Sequence, residues 1–495
     1  MTWFLVSVSI LASIPAGLRW LRVAQREHYL PPATIRFAWR WWIAGYGNQA
    51  LLGVALVGLV GSIQNEGVGV LVPLTQVGPV GLSVRGTTSP LAWTGRMKRV
   101  AGVSGVLFVS LTVLGGAIDS QFAVVAPLFF LPVLIDLTLI LLSPIERRMG
   151  SVWVKKAASK LEASGADVVA ITGSYGKTTT KAYVAHLLAP TRRTVASPAS
   201  FNNRMGLARA INEGLPPGTE VFVAEMGTYG PGEIAELCSW IPPKVAAMVA
   251  IGPVHLERFR TEERIVAAKA EILDGAEVGV ICVDHPLLAV LAQDRANEME
   301  IIKVSTGDLG RVSVGDVIVI DGRSLGPTPD GVFRANLAVA LGVGLALGAE
   351  PQDLIGSLGS LPVSEHRQSV SKSGIGVTIV DDTFNSNPAG ARRALALLDE
   401  LGADGTKAVV TPGMVELGPR QREENREFAR LASAVADQLI VVGRTNRFAL
   451  REGSVRGEAS VTVVDSRGDA VEWVRENLGP GDVVLYENDL PDHYP

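Results

Sequence analysis

The sequence predicts an α-helical transmembrane region followed by two α/β domains, and three observations lead to this fold class. Apolar runs fill most of the first 150 residues. After residue 151, apolar strand-like runs alternate with amphipathic helix-like segments, which is typical of parallel α/β domains. The third observation is a glycine-containing loop that joins such a strand to such a helix near residue 173. We therefore divide the chain into residues 1–150, 151–360 and 361–495.

The composition of the chain indicates which partners it is expected to bind and the redox state of its compartment. The chain has 495 residues and a net charge of −4 at pH 7, and 47 % of its residues are hydrophobic. Because nothing in this charge balance suggests binding to a polyanion, we expect no nucleic-acid partner. The two cysteines, Cys238 and Cys282, show neither metal-ligand spacing nor a disulfide framework. They fit a reducing compartment and are interpreted as ordinary buried thiols.

The first third carries several apolar runs, at about 2–18, 43–63, 67–84, 100–118 and 121–143. Several of them reach the roughly 20 residues that a helix needs to cross a bilayer. The segments between them alternate between arginine-rich loops and loops without Lys or Arg. The positive-inside rule then predicts about five spans, with everything after Ser143 in the cytoplasm. A count of four is the alternative, because the first and third runs are shorter or are interrupted by Gly and Pro. We expect a multi-pass protein of the cell membrane with cytoplasmic catalytic domains.

Asp136 lies inside the fifth apolar run, where an ionised carboxylate is costly. One interpretation is a role in transport or lipid contact. The other, which we favour, is a protonated or hydrogen-bonded side chain that faces other helices.

The segment VVAITGSYGKTTTKAYVAHLL, residues 168–188, has the pattern of a nucleotide-phosphate site. Gly173 and Gly176 would let backbone N–H groups approach phosphate oxygens, and the helix that follows adds its partial positive charge. Lys177 would place a charge on the terminal phosphates, and the Thr178 hydroxyl would reach Mg²⁺. The spacing is TGxxGKTTT and not GxxxxGK[ST].

Two further strand patterns are followed by residues of types that can bind metal ions. VFVAEMG ends in Glu225, and KVAAMVAIGPVHLERF brings His255 directly after a strand. Ligands of open α/β sheets bind beyond the carboxyl ends of the strands, so we favour a metal role for Glu225 and a metal or phosphate role for His255. Lys269 lies in a predicted amphipathic helix, and its spacing alone indicates an ordinary surface lysine. The pair Asn202-Asn203 opens a helix and predicts a turn that faces phosphate or substrate.

Several motifs occur in an order that is known from one family: TGSYGKTTT, FNNRMG, EMG, IGPVHLE, AKAEI, DDTFNSNP and MVELG. Over roughly residues 165–445 the chain resembles the Mur ligases, most of all the members that add D-alanyl-D-alanine to the muramyl tripeptide. The resemblance implies a central P-loop ATPase domain and a C-terminal Rossmann-like α/β domain. It also implies an enzyme, an ATP- and Mg²⁺-dependent acid–amino-acid ligase that forms ADP.

The resemblance also implies the roles of individual residues. ATP would be bound by Gly173, Ser174, Gly176, Lys177, Thr178, Thr179, Asn336, Arg367 and Asp382. The metal ligands would be Thr178, Glu225, His255 and Lys269, the last as a carbamate anion suited to hard Mg²⁺. The catalytic set would be Lys177, Glu225, His255 and Lys269. The substrate would contact Asn202, Asn203, Asn385 and Asn387. The alternative for the NSNP segment is an Asx-rich hairpin or a helix cap, which we favour less because two acidic residues come directly after an apolar strand.

The chain departs from the family at both ends. Apolar runs stand where the family has a soluble domain for a UDP-sugar, and an acidic, proline-containing segment replaces the usual Lys-Gly-Ser-Arg near residue 486. We therefore expect a small-molecule or lipid-linked carboxylate, and an amino acid or dipeptide as the amine. The implied reaction passes through an acyl phosphate. The alternatives are a polyglutamate-type ligase and a non-catalytic membrane scaffold with the same fold.

Overall fold

The computed structural model describes residues 1–65, 67–86, 90–198, 200–362, 369–383, 386–402 and 405–495. The first third folds as an N-terminal helical layer. Its elements are α1 Thr2–Arg26, α2 Ala33–Ile43, α3 Tyr46–Gly61, a 3₁₀ turn Val68–Val70, α4 Leu71–Thr75, α5 Gly95–Ala117, α6 Gln121–Phe129 and α7 Leu131–Ser164. The layer has a core of its own, which includes Trp20, Phe37 and Val124. The boundary that we place at residue 150 lies inside the continuous helix α7.

The prediction of five membrane spans is wrong. Within the described residues, only α1 and α5 are long and apolar enough to cross a bilayer as single helices. The pairs α2–α3 and α6–α7 meet that test only when each is taken together, and they are bent by 111° and 69°. The run at 67–84 forms only a 3₁₀ turn and the five-residue helix α4. The predicted multi-pass location in the cell membrane is withdrawn, because it was argued from five spans and the described residues contain two helices of spanning length, or up to four if each bent pair is one span.

Asp136 is a hydrogen-bonded side chain that faces another helix, as we favoured from the sequence. Its carboxylate accepts hydrogen bonds from the backbone N–H groups of Thr34, at 3.2 Å, and Ile35, at 2.9 Å. These are among the first N–H groups of α2, which have no partner within the helix, so the side chain caps that helix from α7. A hydrogen-bonded aspartate that faces another helix is confirmed.

The central part of the chain forms a nine-stranded sheet in the order β2-β3-β1-β4-β5-β6-β7-β8-β9. The strands are β1 Asp167–Thr172, β2 Thr194–Ala196, β3 Val221–Glu225, β4 Val245–Met248, β5 Val278–Cys282, β6 Glu300–Ser305, β7 Val312–Val314, β8 Val317–Ile320 and β9 Arg323–Pro327. They run parallel as far as β7, and β8 and β9 complete an antiparallel edge.

Helices cover both faces of this sheet because its central strands are apolar on both sides. They are α8 Lys177–Leu188, α9 Arg204–Gly214, α10 Glu233–Cys238, α11 Leu256–Phe259, α12 Glu262–Ala270, α13 Pro286–Arg295, α14 Arg334–Ala346 and α15 Pro351–Gly356, with 3₁₀ turns at Glu271–Leu273 and Leu358–Ser360. In β1, Val168 and Ala170 enter one core, while Val169 and Ile171 enter the other. Both cysteines are free and buried, which confirms the prediction.

The last part of the chain forms a second sheet in the order β10-β11-β15-β12-β13-β14. Its strands are β10 Ser369–Lys372, β11 Thr378–Asp382, β12 Lys407–Thr411, β13 Gln438–Val442, β14 Ser460–Val464 and β15 Val483–Glu487. Its helices are α16 Pro388–Leu401, α17 Gln421–Val435, α18 Arg447–Ser454 and α19 Arg467–Asn477, with a 3₁₀ turn at Gly418–Arg420. Among the described strands of this sheet, only β10 is antiparallel to its neighbour, so this is the small α/β domain that the sequence predicts.

The segment after β15 packs against the N-terminal helical layer. Asp492 forms an ion pair of 2.7 Å with the buried guanidinium of Arg22. The indole of Trp41 donates to the carbonyl of His493 at 2.9 Å. The acidic segment at residues 486–495 is therefore part of the folded structure.

Candidate active site

The phosphate loop follows β1 and ends where α8 begins at Lys177. Gly176 has a φ of +78°, and a Cβ there would lie 2.8 Å from the Oδ1 atom of Asn336, so glycine is required on both counts. The Nδ2 atom of Asn336 donates to the carbonyl of Gly176 at 3.1 Å. The Nζ atom of Lys177 donates to the carbonyl of Gly173 at 2.8 Å. The loop thus has the positive-φ glycine and the helix start that its sequence predicts.

Glu225 lies at the carboxyl end of β3, beside this loop. Its Oε2 atom accepts a hydrogen bond from the Thr178 hydroxyl at 3.0 Å and one from the Lys181 ammonium, also at 3.0 Å. Its Oε1 atom accepts from the Nδ2 atom of Asn202 at 3.1 Å. Burial alone would raise the pKa of Glu225, but the charges of Lys181 and Lys177 and the bond from Asn202 bring it below its usual value. The structure therefore joins Thr178, Asn202 and Glu225 around one ionised carboxylate.

Lys269 lies in α12, and only 3 % of its surface is exposed. The interpretation from spacing, a surface lysine, is wrong. Burial, followed by the charge of Lys177, holds the pKa of the Lys269 ammonium well below its usual value. Burial and the charge of Lys177 thus disfavour the charged form of this side chain, and the neutral amine is the form of lysine that reacts with CO₂.

His255 lies at a contact between the two sheets. It follows β4 with a φ of +56°, and its Nδ1 atom is hydrogen bonded to the carboxylate of Glu416, which follows β12. Its ring also packs edge-on against Tyr229, with centroids 5.0 Å apart. A carboxylate on one ring nitrogen commonly fixes the tautomer of a metal-binding histidine and leaves the other nitrogen as the ligand. A metal role for His255 stays a prediction, and it would use Nε2.

Two of the asparagines assigned to substrate have local structural roles. Asn203 caps α9 by accepting from the N–H of Gly206 at 3.0 Å, and Asn387 caps α16 by accepting from Gly390 at 2.9 Å. The helix-cap interpretation of NSNP is thereby confirmed for Asn387. Arg367 and Asn385 lie outside the described residues.

Asp382 ends β11 and is paired in register with Glu487 of β15. Glu487 accepts a hydrogen bond from Thr411 at 2.6 Å. Burial and, to a lesser extent, the charge of Asp382 raise the pKa of Glu487 to about 8.

Sequence reasoning missed Lys181, Glu416 and Glu487. Lys181 had a detectable signal, because it lies four residues after Lys177 and hence on the same face of α8.

The donors around Glu225 fit a magnesium ion that also binds nucleotide phosphates. In the described part of the chain, no group of three His, Cys, Asp or Glu side chains could hold a metal ion without other ligands. Mg²⁺ in nucleotide enzymes, however, usually takes one or two carboxylates together with phosphate oxygens and water. The Thr178 hydroxyl and the Glu225 carboxylate, 3.0 Å apart at the loop, supply such a partial set of oxygen donors.

Two family models match the chain. Residues 171–318 match the Mur ligase middle domain, and residues 366–486 match the glutamate ligase domain of Mur ligases. Together they take in the phosphate loop, Glu225, His255, Lys269 and most of the second sheet. Neither match includes the N-terminal helical layer.

Named relatives agree with these matches. The chain is 33 % identical to the UDP-N-acetylmuramoyl-tripeptide–D-alanyl-D-alanine ligase of Mycobacterium leprae over 67 % of this chain and 72 % of that protein. It is 29 % identical to the ligase of the same name from Bacillus subtilis, over 67 % and 75 %. The MurF ligase of Thermotoga maritima, solved with ADP, superposes with a TM-score of 0.59 at 28 % identity, over 69 % of this chain and 80 % of that one.

Proposed function

Because the chain belongs to the Mur ligase family, we propose that it joins D-alanyl-D-alanine to the terminal carboxylate of a UDP-N-acetylmuramoyl tripeptide. The chain is an ATP-dependent amide ligase that forms ADP and requires Mg²⁺, as Mur ligases are. The substrates come from the names of its relatives. The single observation that carries the proposal is the contact between the phosphate loop and Glu225, made through Thr178.

The reaction that this site supports is activation of a carboxylate by phosphoryl transfer. A carboxylate oxygen of the tripeptide attacks the γ-phosphorus of ATP, and the bond to the bridging oxygen breaks to release ADP. The amine of D-alanyl-D-alanine then attacks the acyl carbon, and phosphate leaves as the amide forms and the amine loses a proton. Such chemistry depends mainly on alignment and on stabilisation of charge.

Lys177 is the cation that the chain itself would supply to the phosphates. Its Nζ atom is held by the carbonyl of Gly173 at the start of the loop, 2.8 Å away. The helix that begins at Lys177 directs its first N–H groups and its partial positive charge to the same place. Asn336, in α14, donates to the carbonyl of Gly176 and so holds the loop in shape.

Thr178, Glu225 and a modified Lys269 would hold magnesium, which would neutralise phosphate charge as the phosphoryl group transfers. Addition of CO₂ to the neutral Lys269 amine forms an N–C bond and releases one proton, leaving a carbamate anion. Two features support this modification: the side chain is buried, and its pKa is well below the usual value. His255, oriented by Glu416 at the contact between the two sheets, would supply a further metal ligand through Nε2.

The carrier of the tripeptide needs separate treatment, because a helical layer precedes the first matched residue, 171. The expectation of a lipid-linked carboxylate rests on five membrane spans, and it loses that basis with the corrected count. We therefore propose the nucleotide-linked tripeptide that is named for the relatives.

The division of the chain into three parts, with boundaries at residues 150 and 360, is kept as a proposal.

The proposal is tested by mass spectrometry of the product formed by the purified chain from ATP, Mg²⁺ and UDP-N-acetylmuramoyl tripeptide. D-Alanyl-D-alanine should give the pentapeptide with release of ADP. L-Glutamate and L-alanyl-L-alanine serve as amine controls and should give little product. Preferential addition of glutamate would replace the proposal with the polyglutamate-type alternative.

A further inference from the structure

Lys181 is a buried lysine to which the reaction described above gives no task. It lies in α8, four residues after Lys177, and its side chain is only 5 % exposed. Its ammonium pairs with Glu225, which is 4 % exposed, across 3.0 Å. It also donates to the carbonyl of Pro198 at 3.3 Å. A cation that is held this deeply needs an explanation, because burial of an ammonium group is costly.

Stability does not supply that explanation. The desolvation of two buried charges commonly cancels or exceeds their attraction, so such pairs are seldom retained for stability alone. The pair of Lys244 with Asp167 in the same domain makes the contrast clear. It has a similar distance, 2.9 Å, but its side chains are 39 % and 27 % exposed. Exposed pairs of that kind contribute little to stability.

The position of Lys181 relative to Glu225 indicates what it does. Thr178 reaches the Oε2 atom of Glu225 from the phosphate loop, and Lys181 reaches the same atom from one helical turn deeper. Asn202 holds the other oxygen, Oε1. The carboxylate is thereby fixed through both oxygens, and its charge is balanced from inside the protein.

We propose that Lys181 is a positioning residue that holds Glu225 in the orientation in which it binds the magnesium ion. This inference rests on the assignment of Glu225 to the metal in the proposed function. In this role Lys181 acts through the carboxylate of Glu225, with which it forms its ion pair. Partners that orient a metal ligand commonly contribute 10- to 100-fold to metal affinity, and we assign a contribution of about that size to Lys181.

The test is the affinity of the ADP-bound full chain for Mn²⁺, measured by electron paramagnetic resonance, together with the rise in melting temperature that Mg²⁺ produces. Lys181→Met should weaken Mn²⁺ binding by about 10- to 100-fold and should reduce the Mg²⁺-induced rise. Lys244→Met is the matched control and should leave both quantities unchanged. Unchanged Mn²⁺ affinity in Lys181→Met would overturn the proposal.

A second pair of variants separates positioning from misfolding. Glu225→Gln should itself weaken Mn²⁺ binding, and Lys181→Met added to it should weaken binding no further. The double variant should also recover part of the melting temperature that Lys181→Met loses, because no buried charge is then left unpaired. Additive losses of Mn²⁺ affinity would show that Lys181 does not act through Glu225. Because these readouts measure cation binding, failure to form an amide with D-alanyl-D-alanine would contradict the proposed function and leave this result standing.

Discussion

The hydroxyl of Thr178 donates to the carboxylate of Glu225 across 3.0 Å, which joins the phosphate loop to the end of the neighbouring strand. The register of the sheet brings them together, because Ile171, near the end of β1, lies opposite Glu225 in the parallel strand β3. The carboxyl ends of parallel strands meet at one edge of a sheet, and there the loop after β1 and the side chain that ends β3 become neighbours. The predictions below start from this edge.

Lys177→Ala should reduce the rate of ligation by roughly 10²- to 10³-fold or more, because it removes a fixed positive charge from the transferring phosphoryl group. The measurement is ADP release at saturating ATP and amine. Lys160→Ala removes a lysine whose contact is the carbonyl of Asn212, away from the loop, and should retain full activity. A Lys177→Ala enzyme with a near wild-type rate would contradict the assignment of the loop.

Removal of dissolved CO₂ should inactivate the enzyme, and bicarbonate should restore it, because the proposed carbamate of Lys269 is lost without CO₂ and forms again when CO₂ returns. Lys269→Met should be inactive under both conditions. Activity is followed by ADP release, and the modification by mass spectrometry of the peptide that contains Lys269. If the wild-type rate does not respond to CO₂, the lysine acts without carbamylation.

Gly176→Ala should lose most of its ATP affinity, because the new Cβ would collide with Asn336 in addition to the strain at a φ of +78°. Gly165→Ala is the matched control. It also has a positive φ, +65°, but a Cβ there meets nothing within 4 Å. Gly165→Ala should lose only the conformational cost of about 1–2 kcal/mol in stability and should bind ATP normally. Equal ATP affinities in the two variants, measured by calorimetry, would argue against a packed loop.

The contribution of Glu487 to the stability of the chain should fall as pH rises from about 5 to about 8. Burial raises the pKa of this carboxyl to about 8 from an ordinary value of 4.5. Between these values the folded chain binds more protons than the unfolded chain, so the stabilisation is complete below pH 4.5 and is lost as pH rises through 8. Glu487→Gln should flatten this decline in melting temperature. A pH profile identical to that of the wild type would show that Glu487 is ionised in the folded state at neutral pH.

Much of the site follows from local sequence. Strand β1, the loop and helix α8 form because an apolar run, a glycine turn and a helix-forming segment occur in succession, and Glu225 ends a strand for the same reason. Lys269 did not follow from spacing, because its burial depends on how α12 packs against the rest of the domain. It was identified only through the family resemblance.

The contact of His255 with Glu416 and the burial of Glu487 were beyond sequence reasoning for a related reason. His255 and Glu416 lie 161 residues apart in the chain. Glu487 is likewise buried against a strand that is distant in sequence, which contains Asp382. The prediction for the first third of the chain was wrong for a different reason, because hydropathy detects apolar residues but does not detect the breaks between helices. Gly45, with a φ of +90°, separates α2 from α3 and bends that pair by 111°. The apolar residues of this region form the internal core of a helical layer instead of five straight spans.

The central claim is that this chain activates a carboxylate by transfer of the γ-phosphoryl group of ATP. It is tested most directly with UDP-N-acetylmuramoyl tripeptide whose terminal carboxylate is labelled with oxygen-18, in the presence of ATP, Mg²⁺ and D-alanyl-D-alanine. The acyl phosphate pathway predicts that mass spectrometry will find one labelled oxygen in each phosphate released, in proportion to the amide formed. Amide accompanied by unlabelled phosphate would contradict it.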